Sequence, residues 1–135
     1  MTTDEIRTRL FALQDVKFRD FHTRLIPNVD PETVIGVRTP ELRKLAGEVG
    51  WNKDFLAELP HRYYDENQLH ALILCGAKDF DEAVRRLDEF LPHVDNWATC
   101  DQMSVKVLGK HPQELLPHIR RWLASPETYT VRFGI

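Results

Sequence analysis

The sequence is poor in cysteine, in long apolar runs and in clustered glycine. Its two cysteines, Cys75 and Cys100, are isolated, which excludes a disulfide framework and a cysteine-based zinc module. The longest apolar run is about six residues, around Ala71–Gly76, whereas a membrane span needs roughly 18–20. The six glycines are scattered, so there is no glycine-rich phosphate loop. These shortages favour a protein with reduced thiols and no membrane contact.

Positive charge is not in excess either. The chain has 18 Lys and Arg against 21 Asp and Glu, a net charge of −3, whereas dedicated nucleic-acid-binding domains usually carry a basic excess. A basic stripe on one face is still compatible with this balance. The six histidines show no metal-ligand spacing, and each is more typical of a helix end or of the surface. We therefore expect no metal and no cofactor.

The length predicts one domain. A chain of 135 residues buries roughly two-thirds of its unfolded surface, enough for a core that needs neither metal nor disulfide. The polar, acidic start Met1–Glu5 is unlike a secretory signal or a transit peptide. We expect residues 1–135 to form a single domain in the cytoplasm.

Helix signals recur along almost the whole chain. The predicted helix starts are Thr2, Thr39-Pro40, Asn52, Asp79, Asp95 or Asn96, His111-Pro112 and Ser125-Pro126. The helix after Asn96 is predicted to run through Asp101 to Leu108, and the β-rich run Tyr129–Val131 is ambiguous. Helices of about 10–15 residues recurring at about 30–40 residues indicate an all-α fold, an α-solenoid of HEAT-like antiparallel helix pairs.

The C-terminal segment Thr130–Ile135 is apolar and lacks the polar capping repeat that closes most solenoids. Phe133 and Ile135 would leave an apolar groove open beside the last helix pair. We therefore expect self-association through this end, or poor order beyond about Thr128.

Trp97 and Asp101 are the strongest candidates for chemistry. They are four residues apart, which puts them one above the other on a helix face. A carboxylate beside an aromatic ring receives a cation through Coulomb attraction and cation–π contact together. A core tryptophan followed by a solvated aspartate explains the same spacing, so the spacing alone leaves both interpretations open.

Basic residues gather near predicted helix ends. They are Arg38, Arg43, Lys44, Lys106, Lys110 and Arg132. A helix N-terminus with an arginine beside it suits a phosphate group. Scattered surface charge, balanced by the acidic residues, is the alternative interpretation.

Two segments resemble the DNA alkylation repair family, the AlkD-type DNA glycosylases. They are Ile35–Lys44, with its Gly-x-Arg-Thr-Pro turn, and Asp95–Asp101, with its Trp-x-x-x-Asp pair. Leu59–Ala71 and Tyr129–Gly134 resemble a bacterial branch of this family. The resemblance covers essentially the whole chain, although family members are longer and continue with further helices beyond the position of Ile135.

The resemblance implies a HEAT-like solenoid whose concave, positively charged face cradles duplex DNA. It also implies excision of N3- and N7-alkylated purines without flipping the base from the stack. By motif, Trp97 and Asp101 match the catalytic pair of the family and Arg132 matches its following catalytic arginine. Arg38 falls where the family places a polar residue near the DNA backbone.

Two functions from different classes remain open. One is the DNA glycosylase, and the other is a non-catalytic helical-repeat module that binds nucleic acid or a protein partner. Trp97 and Asp101 favour the enzyme, because a binding module has no need of a carboxylate facing phosphates. The net charge of −3 favours the module.

Overall fold

The computed structural model describes residues 1–135 and contains ten α-helices and no strand. The helices are α1 (Thr3–Ala12), α2 (Val16–Thr23), α3 (Thr39–Val49), α4 (Lys53–Ala57), α5 (Tyr64–Cys75), α6 (Phe80–Phe90), α7 (Trp97–Asp101), α8 (Lys106–Gly109), α9 (Pro112–Leu123) and α10 (Thr128–Gly134). Two single-turn 3₁₀ segments, Pro31–Thr33 and Leu91–His93, lie in the loops. No helix combines the length and the apolar character that crossing a membrane requires. The all-α prediction is confirmed.

Side-chain caps begin four helices where the sequence predicts them. In each, a side-chain oxygen accepts the backbone N–H three residues ahead at 2.8–3.1 Å, and the caps are Thr2, Asn52, Asp79 and Asn96. The cap predicted at Thr39 lies one residue earlier, because the carbonyl of Arg38 already accepts the N–H of Leu42 at 3.0 Å.

The single helix predicted from Asn96 to Leu108 is instead two short helices. α7 ends at Asp101 and α8 begins at Lys106. Between them Met103 and Val105 are both buried, at a two-residue spacing that an extended segment puts on one face and a helix does not. Asp101 therefore stands at the end of a helix, not in the middle of one.

The main apolar core is built around α5, which buries nine of its 12 residues. α5 packs against α3, α6 and α7, and α9 packs against α10. A second, smaller cluster consists of Ile26, Val29, Val34 and Tyr64. Ala98 of α7 packs on this small apolar cluster, which therefore supports the helix that carries Trp97 and Asp101.

One arginine is buried. Arg86 of α6 is only 6% exposed, which is rare for a charged residue without partners. Its guanidinium pairs with Glu82 at 3.0 Å and with Glu89 at 3.7 Å, both on the same helix. Long arginine side chains can bury their stems in this way while the charged end keeps its partners.

Two histidines expected at a helix end or on the surface are buried instead. His61 Nε2 and His70 Nδ1 are 2.8 Å apart, and the rings stack on Phe55 and Phe90, respectively. Burial lowers the pKa of His61 to about 4 and that of His70 to about 2. Both rings are therefore neutral at physiological pH, which is the form that burial favours.

The C-terminal segment is helical from Thr128 to Gly134, including the run whose sequence is β-rich. Ser125 does not begin the helix, but its Oγ accepts the N–H of Glu127, the residue before α10. Phe133 packs edge-to-face on Trp122, with 5.1 Å between ring centroids, whereas Ile135 is 93% exposed. Self-association through this end stays a prediction.

Candidate active site

Trp97 begins α7 with its ring open to solvent. The Asn96 cap starts the helix, and Ala98 faces the small apolar cluster on the other side. The indole N–H of Trp97 donates to the backbone carbonyl of Leu25 at 3.0 Å. The residue is 41% exposed, so this hydrogen bond fixes one edge of a ring that is still open to solvent.

Asp101 and Arg132 form an ion pair across the ends of α7 and α10. Arg132 Nε and Nη2 donate to the two carboxylate oxygens at 2.7 and 2.6 Å. Both side chains are nearly half exposed. The hydrogen bonds from Arg132 hold the pKa of Asp101 below its usual range, so the carboxylate is ionised at neutral pH.

Three residues predicted to do the chemistry therefore lie close together. α7 places Trp97 and Asp101 one turn apart, and the ion pair brings Arg132 to Asp101 from α10. No cavity wall encloses this group, since all three residues are substantially exposed. The result is an open surface with one fixed anion, one fixed cation and an accessible aromatic face.

Arg38 lies at the start of α3 and has partners of its own. Its Nε donates to Asp15 at 3.0 Å, and its guanidinium lies 5.2 Å from the centroid of the Phe18 ring. The side chain is still mostly exposed, so the guanidinium remains accessible to an anion. Arg38 is held by α2 and not by the Asp101–Arg132 pair.

The turn before Arg38 is held by a buried carboxylate and requires a glycine. Asp65 accepts the backbone N–H groups of Ile35, Gly36 and Val37 at 2.6–3.4 Å. Gly36 has φ +93°, and a Cβ there would stand 2.5 Å from the Cβ of Arg19. Only glycine suits both the backbone angle and the close approach of α2.

Arg43 and Lys106 lie near one thiol. Burial raises the pKa of Cys75, and the charges of Arg43 and Lys106 are among the groups that oppose this shift. The Cys75 thiol is 3.5 Å from the carbonyl oxygen of Gln102, the residue after Asp101. The thiol thus joins α5 to the residue that follows α7, and the role of Arg43 and Lys106 in DNA binding stays a prediction.

Lys44 and Lys110 are exposed and form no ion pair with an acidic side chain. Both ammonium groups are free to meet an external anion. Their role in DNA binding stays a prediction.

The model of a family described as DNA alkylation repair enzymes matches residues 6–135. The chain belongs to the DNA alkylation repair enzyme family. Among proteins of curated function and among solved structures, none matches the chain.

Membership in the DNA alkylation repair family implies that the substrate of the protein is DNA. Trp97, Asp101 and Arg132 all fall within the matched residues. No group of three or more His, Cys, Asp or Glu side chains is placed to hold a metal ion.

The contacts that hold the candidate site are not visible in the sequence. The carbonyl of Leu25 fixes the Trp97 ring, and the carboxylate of Asp65 fixes the turn before Arg38. Both contacts join segments about 30 or more residues apart, so no local spacing reveals them. The available signal was an acidic residue, Asp65, in a helix whose other residues are mainly apolar or buried.

Proposed function

We propose that this member of the DNA alkylation repair family is a DNA glycosylase. Its substrates are N3- and N7-alkylated purines in duplex DNA, and the bond hydrolysed is the N-glycosidic bond. The observation that carries the proposal is the ionised Asp101, paired with Arg132 beside the exposed ring of Trp97.

The chemistry of the lesion suits these side chains. An N3- or N7-alkylated purine already carries a positive charge, so the departing base needs no general acid. Breaking the bond to the sugar builds oxocarbenium-like positive charge, as in other glycoside hydrolyses. A fixed anion and an aromatic face beside that sugar stabilise this charge, and Asp101 and Trp97 supply one each. Asp101 also accepts a hydrogen bond from the attacking water and so orients it.

The open surface supports excision without base flipping. Enzymes that flip a base receive it in a snug pocket. Trp97, Asp101 and Arg132 are all exposed and do not form such a pocket. Because the charge of the lesion itself drives bond breaking, the base stays in the stack and the sugar approaches the site from the groove.

The cations hold the DNA. Arg132 contacts a phosphate that flanks the lesion and fixes the register of the duplex. Arg38, Arg43, Lys44, Lys106 and Lys110 contact further phosphates. All five of these side chains belong to exposed residues, which supports this assignment.

For the architecture, we propose HEAT-like antiparallel pairs in a solenoid, with residues 1–135 as one domain. The packing of α3 on α5 and of α9 on α10 supports pairing between helices near in sequence. The concave side of such a solenoid is the surface that accommodates a duplex.

The test is release of 7-methylguanine or 3-methyladenine from methylated duplex DNA. We expect release faster than the spontaneous rate, and no release from unmethylated duplex. Tight duplex binding without release would favour the alternative, a non-catalytic helical-repeat module that binds nucleic acid. The absence of both binding and release would favour a module whose partner is a protein.

A further inference from the structure

We propose that Asn28 is a positioning residue that sets α10, and with it Arg132, against the Asp101 carboxylate. The inference rests on the proposed glycosylase function. It concerns the loop that follows α2, which touches both helices of the candidate site.

The loop is firmly anchored where it passes the site. Ile26 and Val29 are 1% and 7% exposed, and they belong to the small apolar cluster with Val34 and Tyr64. Ala98, the residue after Trp97, packs on the same cluster. The residues between Ile26 and Val29 are therefore held in place relative to α7.

Two hydrogen bonds join this loop to the candidate site, one to α7 and one to α10. The carbonyl of Leu25 accepts the indole N–H of Trp97 on α7 at 3.0 Å. The Asn28 side-chain amide donates to the Tyr129 hydroxyl on α10 at 3.3 Å. Tyr129 lies three residues before Arg132, which puts both on one side of α10.

The second contact acts on side-chain positions. The backbone of α10 is held by packing on α9 and α7 and by the Cys100 thiol, 3.5 Å from the Tyr129 carbonyl oxygen, whereas the Tyr129 hydroxyl takes its hydrogen bond from Asn28. An exposed Asp–Arg pair contributes little to stability, and arginine has many rotamers. α10 is only seven residues long, so the position of its start controls where Arg132 emerges. Fixing Tyr129 from the loop therefore narrows the positions that the guanidinium can take beside Asp101.

The kinetic test is a double-mutant cycle of Asn28→Ala and Tyr129→Phe, read by single-turnover base release. We expect each variant to slow release by about 2- to 10-fold, the effect of losing one hydrogen bond. The double variant should be no slower than the slower single, because both changes remove the same contact. Affinity for undamaged duplex should stay within about 2-fold, since no phosphate-binding group is changed. Additive losses, or unchanged release, would overturn the positioning role.

A second readout does not depend on activity. The NMR resonance of the Arg132 Nε–H group reports its hydrogen bond to Asp101. Asn28→Ala and Tyr129→Phe should both shift this resonance. The controls are Gln113→Ala and Tyr63→Phe. Neither the Gln113 amide nor the Tyr63 hydroxyl makes a hydrogen bond, so both variants should leave the Arg132 resonance in place.

The two proposals fail in different ways. A parent protein that releases no alkylated base overturns the glycosylase function, whatever the resonance does. An Arg132 resonance that moves no more in Asn28→Ala and Tyr129→Phe than in the controls overturns the positioning role. Asn28 lies at negative φ, so alanine there introduces no backbone strain and the variant should fold.

Discussion

Arg132 donates two hydrogen bonds to the carboxylate of Asp101 from 31 residues away in the sequence, at 2.7 and 2.6 Å. The pair joins the end of α7 to α10 and lies on the surface. It keeps the carboxylate ionised and aimed beside the Trp97 ring. In the reaction proposed above, Nη1 of Arg132, which makes no hydrogen bond to Asp101, contacts a DNA phosphate, and Asp101 faces the positive charge that develops on the sugar.

Gly36→Ala should destabilise the fold. At φ +93° a Cβ would lie 2.5 Å from Arg19 Cβ and 2.9 Å from the Asp15 carbonyl, so both the backbone and α2 must shift. We expect a loss of about 1–3 kcal/mol in the free energy of unfolding, measured by urea denaturation. Gly47→Ala is the matched control, because a Cβ at this site in α3 meets nothing within 4 Å. It should be neutral or should stabilise by about 0.5–1 kcal/mol, and equal losses in both variants would contradict this account.

Acid should weaken the fold through the buried histidine pair. Burial lowers the pKa of His61 to about 4, whereas an unfolded histidine titrates near 6.5. Between these values the unfolded chain binds a proton that the folded chain does not, so stability is complete above about pH 6.5 and falls as the pH drops towards 4. The slope is at most about 1.4 kcal/mol per pH unit for each histidine.

His61→Gln isolates this contribution, because glutamine does not titrate. Burial raises the pKa of the neighbouring Glu66, and that carboxyl acts in the opposite direction. The informative quantity is therefore the difference in pH slope between the parent and His61→Gln, measured as the free energy of unfolding from pH 7 to 5. Identical slopes would show that His61 is not held neutral in the fold.

Duplex binding should weaken steeply as salt rises. Each phosphate that a lysine or arginine neutralises releases counterions, so affinity should fall strongly between about 50 and 200 mM salt. Lys106→Gln should make the logarithmic salt dependence shallower by about one unit. Lys53→Gln changes a lysine at the start of α4 that is not assigned to DNA binding, and it should leave the slope unchanged. Affinity that does not respond to salt would favour a protein partner.

Local chemistry made part of the fold predictable. The caps at Thr2, Asn52, Asp79 and Asn96 follow from hydrogen bonds that span three residues, so they are visible in the sequence. The break after Asp101 was missed because it depends on burying Met103 and Val105 together, and the core that buries them comes from distant helices.

The sequence names the residues of the candidate site but does not predict their contacts. The Trp-x-x-x-Asp pair and Arg132 were identified by family resemblance, whereas the ion pair between Asp101 and Arg132 was not predicted. Asp65 shows the same limit, because its three backbone donors lie 28–30 residues earlier. Hydrogen bonds over such distances depend on the packed tertiary structure, which spacing along the chain does not describe.

Single-turnover release of alkylated base by Asp101→Asn tests the central claim most directly. Asparagine keeps the shape of the side chain and removes its charge, and loss of one preorganised electrostatic partner typically slows such a step about 100- to 1000-fold. Affinity for undamaged duplex should stay the same or rise, because a negative charge is gone and Arg132 is freed for phosphate. Folding should be intact, since exposed ion pairs contribute only about 0–1 kcal/mol.

The matched control for this measurement is Asp88→Asn. Asp88 also accepts two hydrogen bonds from an arginine, Arg121, at 2.9 and 3.0 Å, and its exposure is similar to that of Asp101. It accepts a third from the indole N–H of Trp122 at 2.9 Å, which the amide oxygen of asparagine can still accept. The account predicts that Asp88→Asn releases base at the parent rate, whereas Asp101→Asn is slower by about two to three orders of magnitude. Release by Asp101→Asn at the parent rate, or an equal loss in both variants, would contradict the catalytic role of Asp101.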